Sequence, residues 1–155
     1  MSAIKSVMLA IEGAMRAREL AAKDLTRIQL HVVSAQGQLD QLEHYAADTE
    51  ARWGNSSRTQ TTAELMRHHY QFLDRLHHAI GLQRGVMQNL ADQAGVAKNA
   101  LIQLELRLAS LKKIETRQRH LQTAQENLRE QRQMDELAAV QHTKLTRYRQ
   151  AGGQT

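Results

Sequence analysis

Starting at Ile4 and stepping three and four residues in turn, the chain offers Ile4, Val7, Ile11, Ala14, Arg18, Ala21, Leu25, Ile28, Val32, Ala35, Leu39, Leu42, Ala46, Thr49 and Trp53. Thirteen of these fifteen are apolar, so a 3.5-residue period holds over seven heptads. A helix patterned in this way presents a narrow apolar edge, the edge of a left-handed coiled coil. A second series supplies a partner: Met66, His69, Leu73, Leu76, Ile80, Gln83, Met87, Leu90, Ala94, Ala97, Leu101, Leu104, Leu108 and Leu111, twelve of fourteen apolar. Beyond Leu111 the same phase reads Glu115, Gln118, Gln122 and Gln125, which are not expected to continue a seam. A shifted phase recovers only one apolar residue per heptad: Ile114, Leu121 and Leu128.

Composition supports long helices and little else. The 155 residues contain no Pro, the residue that most reliably ends a helix. Aromatics make up 3%, too few to anchor an ordinary globular core, and the scarcity of Val and Ile excludes a sandwich or barrel. Without Cys there is no disulfide framework, thiolate nucleophile or thiolate metal site, and the chain fits the cytosol. The longest apolar run, Val7–Ile11, is far below the roughly 18 residues of a membrane span. It is also too short for a signal peptide, so the N-terminus reads as mature structure.

One segment looks like a break, Trp53-Gly54-Asn55-Ser56-Ser57-Arg58-Thr59-Gln60-Thr61, rich in turn and cap formers. Thr61 and Glu64 follow with capping-box spacing, and Gly152-Gly153 gives an end signal. The expected architecture is all-α: a single coiled-coil domain over residues 1–155, with helix 1 at about 3–53, a turn at about 54–61 and helix 2 at about 62–150. A turn near residue 57 makes the helices antiparallel, with paired positions summing to about 115. Leu42 then faces Leu73, and Ile4 faces Leu111. The second seam loses its phase where the first helix runs out of chain. At 1.5 Å per residue the helices would run to roughly 75 Å and roughly 130 Å, the longer one overhanging. Glu115 with Arg119, and Arg132 with Glu136, are spaced to support the overhang locally.

The overhang is also where the charge lies. Residues 1–111 carry 12 basic and 11 acidic side chains, whereas residues 112–155 carry 9 and 5. The excess reads as a solvated helix face, a surface for an acidic protein, or a nucleic-acid contact. Met8 and Met15 lie outside the seam and broaden the apolar stripe beside Ile4, Val7 and Ile11. Phe72, Leu76, Ala79 and Gln83 form another stripe, of which Phe72 and Ala79 are off the seam; it reads either as seam flank or as a docking surface. The eight His contain no pair at i,i+3 or i,i+4, which argues against a metal site even at His68-His69 and His77-His78. No phosphate loop, nucleophile elbow or pocket is expected in a two-helix coil, so no enzyme, cofactor or small-molecule substrate is expected.

Three stretches resemble the bacterial flagellar export protein FliJ family of the type III export apparatus: Arg18-Glu19-Leu20-Ala21-Ala22-Lys23-Asp24-Leu25, Tyr70-Gln71-Phe72-Leu73-Asp74-Arg75-Leu76-His77-His78-Ala79-Ile80, and Glu130-Gln131-Arg132-Gln133-Met134-Asp135-Glu136-Leu137-Ala138. Their order and spacing agree over nearly the whole chain. The resemblance implies a two-helix antiparallel coiled coil, similar to the central stalk of rotary ATPases. The implied partners are the export ATPase hexamer, the membrane export gate protein and export chaperones. It would be cytoplasmic, held peripherally at the inner membrane through the export apparatus. Carried over by residue, Phe72, Leu76, Ala79 and Gln83 would face the gate, Gln83 as a polar edge. Ile4, Met8, Ile11 and Met15, with Gln131, Met134, Asp135 and Glu136, would lie at the ATPase end. The alternative is a basic coiled coil associated with nucleic acid; a structural homodimer pairing through its overhangs is a third reading.

Overall fold

The computed structural model describes residues 2–56 and 62–153. They form two helices, α1 (Ser2–Ser56) and α2 (Ala63–Gly152), which pack against each other as an all-α helical hairpin. Contacts group the chain into two compact units, one of Met15–Leu106 and one of Met1–Ala14 with Arg107–Thr155.

In the unit Met15–Leu106 the predicted seam is the packed edge. Ile28, Ala35, Leu39 and Ala46 of α1 are buried, as are Leu73, Leu76, Ile80 and Ala97 of α2. Leu39, Ala46, Leu76 and Ile80 make one cluster, with Leu42 and Met87 against it. In the other unit Ile11, Ala14 and Leu108 make a second cluster, lined by Val7 and Leu111.

Three of the four polar interruptions of the seam, Arg18, His69 and Gln83, have a local solution. Arg18 stays exposed and its Nε lies 3.7 Å from Glu105 Oε1, while Ala17 takes the half-buried position beside it. His69 stacks on Trp53, ring centroids 4.0 Å apart and 10° from parallel. Gln83 donates its amide N–H groups to the Ala35 carbonyl oxygen at 2.9 Å and to Gln38 Oε1 at 3.2 Å. Exposed polar contacts flank the seam, an ion pair of Arg84 with Glu43 at 3.0 Å and a hydrogen bond between His77 and Glu50 at 3.1 Å. Exposed pairs of this kind contribute roughly 0.2–1 kcal/mol each, so apolar burial dominates.

The register differs from the spacing arithmetic by about one helical turn. Gln83 reaches Ala35, Tyr45 meets Phe72, Leu42 packs against the cluster that holds Leu76 and Ile80, and Val7 and Leu111 line one cluster. The cause lies at the end of α1. Gly54, Asn55 and Ser56 continue the helix, so the crossover falls later in the sequence. Of the expected turn, residues 57–61 lie outside the described residues. The cap of α2 is Thr62: its Oγ1 accepts from the Leu65 N–H at 3.3 Å, and its carbonyl takes the Met66 N–H at 3.1 Å. Glu64 then sits in the first turn, where a carboxylate favours the helix dipole.

The later register also carries the covered stretch of α2 past the last apolar seam residue. Glu115, Gln118 and Gln122 remain half-buried. Arg119 donates two bonds to Glu115 Oε1, at 3.0 Å and 2.8 Å. From Thr123 to Gly153 every residue is exposed. The expected Arg132–Glu136 pair is not formed.

Two leucines of α2 test this division. Leu108 is 4% exposed and Leu128 49%. Leu108→Ala should cost about 2–5 kcal/mol in urea denaturation, whereas Leu128→Ala should stay within about 0.5 kcal/mol. Equal losses would contradict an uncovered extension.

Candidate functional site

In the unit Met15–Leu106 the structure separates the stripe Phe72, Leu76, Ala79, Gln83 into two pairs. Leu76 is 8% exposed and belongs to the seam cluster. Gln83 is committed to Ala35 and Gln38 across the helix pair. Phe72 is 41% exposed and Ala79 half-buried, one heptad apart on the flank. Val86 continues that flank a further heptad on and is also exposed.

Phe72 has a companion that sequence reasoning missed. The Tyr45 ring of α1 meets it edge-on, centroids 5.9 Å apart and planes 85° apart. Both rings are substantially exposed. Tyr45 follows seam residue Leu42 by three and Phe72 precedes seam residue Leu76 by four, so both are flank positions. The signal was present in the spacing, but pairing the two requires the register. The result is an aromatic pair contributed by both helices, sitting beside a closed seam. Edge-to-face pairs favour this geometry, and an exposed aromatic pair offers rigid contact area at low entropic cost.

Met15 is the first residue of this unit and is exposed. The other residues carried over to the ATPase end belong to the second unit. There Ile4 is half-buried, Ile11 is 9% exposed inside its cluster, and Met8 is 42% exposed on the flank. Gln131, Met134, Asp135 and Glu136 lie on the uncovered extension, all exposed. Successive residues of a helix point about 100° apart, so Met134 does not share a face with Asp135 or Glu136. It shares one with Gln131, Leu137 and Ala138, its neighbours at three and four residues.

No cluster of three or more His, Cys, Asp or Glu side chains able to hold a metal occurs among the described residues. No helix among them is long and apolar enough to cross a membrane. What the arrangement offers is contact surface: an aromatic flank on a packed helix pair, and a bare helical extension with excess positive charge.

Such a molecule belongs to the class of all-α helical hairpins. The family model described as flagellar FliJ protein matches residues 11–147, most of the chain. The chain therefore belongs to the FliJ family, non-enzymatic components of the flagellar protein export apparatus. No curated protein and no solved structure matches it.

The burial difference across the stripe gives a test. Leu76→Ala should lower stability by about 2–5 kcal/mol, and Phe72→Ala by about 1 kcal/mol or less, in thermal unfolding followed by circular dichroism. A Phe72 variant as damaged as the Leu76 variant would place Phe72 in the core.

Proposed function

We propose that this chain is a stalk or adaptor of the flagellar export apparatus. Its terminal end grips the export ATPase ring, its Phe72 flank engages the membrane export gate, and it assists the handling of chaperone-bound export substrates. It works in the cytoplasm, held peripherally at the inner membrane through the export apparatus.

The observation that carries this reading is the bare helical extension, Thr123 to Gly153 of α2, exposed at every residue. A helix exposed on all sides gains nothing from its own fold, since isolated helices owe little to propensity alone. A partner that surrounds it would supply the missing burial. The match to the FliJ family over residues 11–147 supports a ring ATPase as that partner. Phe72 with Tyr45, and Ala79 on the same flank, form the gate-facing surface; Leu76 and Gln83 hold the seam beneath it. Ile4, Met8 and Ile11, with Gln131, Met134, Asp135 and Glu136, belong to the ATPase-facing end, and Met15 follows Met8 by one heptad on α1.

The test is biochemical. The purified export ATPase of the same bacterium should hydrolyse ATP faster, and form more hexamer, when this chain is added. Phe72→Ala should reduce capture of the gate protein's cytoplasmic portion and leave the ATPase effect intact. An ATPase whose rate and oligomeric state are identical with and without the chain would falsify the coupling role.

A further inference from the structure

The last 19 residues, 137–155, contain no Asp or Glu. They contain Lys144, Arg147 and Arg149. Between Lys112 and Glu136 the signs are mixed, six cations among five carboxylates. The change occurs inside one helix, since α2 continues to Gly152. Through Gly153 every residue of this segment is exposed, and none of the three cations is ion-paired.

The segment also has a face. Met134, Leu137, Gln141, Leu145 and Tyr148 recur at steps of three and four and form one strip. Gln141, Lys144, Leu145 and Tyr148 line a common shallow hollow. Met134 is 71% exposed, Leu145 60% and Tyr148 81%, so the strip is unpartnered. Lys144 lies one turn before Tyr148, and Arg149 one turn after Leu145, so a cation stands at each border. The Thr143 and Thr146 hydroxyls donate to the Ala139 and His142 carbonyl oxygens at 2.8 Å, and so are turned back onto the helix.

We propose that this strip docks against a protein surface in which an apolar groove is bordered by Asp and Glu carboxylates, and that this acidic groove lies on the ATPase ring. The proposal rests on the reading of the terminal end as ATPase-facing and names the chemistry of that contact. A neutral groove would leave the two bordering cations, Lys144 and Arg149, without compensation, whereas bordering carboxylates supply both attraction and steering. A second copy of the chain is disfavoured, because its own strip carries the same sign and no acids.

The experiment uses the full chain and the purified export ATPase of the same bacterium, with binding followed by fluorescence anisotropy at about 50 mM and about 300 mM salt, concentrations that bracket strong and weak screening. Wild-type affinity should fall at least roughly tenfold over that range, as expected for a contact steered by several charges. Lys144→Glu/Arg147→Glu/Arg149→Glu should weaken binding at low salt by at least roughly tenfold, and the Gln triple variant by less. Arg67→Glu/Arg75→Glu/Lys98→Glu, an equal charge change in the other unit, should bind as wild type. Circular dichroism should show the same helicity for all. Wild-type binding that is flat in salt and untouched by the terminal reversal overturns the acidic-groove contact while leaving the ATPase reading in place. Absence of wild-type binding overturns both. Binding to phosphatidylglycerol vesicles that is lost in the terminal reversal, with the ATPase bound equally by all variants, assigns the strip to a lipid surface and overturns the proposal.

Discussion

Apolar side chains meeting every three and four residues along one edge of each helix hold this fold together. Nothing else in the molecule is strong enough. Among the described residues no buried side-chain N or O atom lacks a hydrogen-bond partner and none of the buried residues is polar or charged, so the core is Leu, Ile and Ala throughout. The ion pairs across and along the helices are exposed and screened, apart from the half-buried Glu115 of the Arg119 pair, and they tune rather than create the association. Each seam residue buries modest area, but the sum over many heptads is what orders two helices of 55 and 90 residues.

A seam of this kind is degenerate: sliding by half a heptad still brings apolar residues together. The interruptions oppose such slippage. Gln83 reaches a backbone carbonyl and a side-chain amide of α1 that stand at only one register. His69 has its flat partner in Trp53, and Tyr45 and Phe72 meet edge-on. Polar seam residues reduce stability relative to leucine, yet they distinguish one alignment from its neighbours. The aromatic flank depends on that alignment, because a half-turn slip would part Tyr45 from Phe72.

The two heptad series were legible in the sequence because a 3.5-residue repeat over such a length has no competing explanation. The extension was legible too, but not its start: Glu115, Gln118 and Gln122 interrupt the apolar phase yet are half-buried, and uninterrupted exposure begins at Thr123. Register was not, since it depends on how far α1 runs before turning. Gly54, Asn55 and Ser56 favour turns in isolation, but here they complete the helix. Thr62 caps α2, and Thr61, expected to begin the capping box, lies outside the described residues. The stripe around Phe72 shows the cost: its spacing on one helix was plain, but Leu76 and Gln83 turn inward while Tyr45 joins from the other helix. Cross-helix neighbours become visible only with the register in hand.

From Thr123 to Gly153 every residue of α2 is exposed, while the stretch before it is packed along α1. The proposed coupling role rests on that division between a zipped portion and a bare one. Hydrogen–deuterium exchange on the full chain, read by mass spectrometry, tests it most directly. Amides from about Leu73 to Leu111 should exchange slowly and those beyond about Thr123 much faster, because only the former lie in a helix closed by a partner. Protection that is uniform along α2 to its last turn would contradict the account.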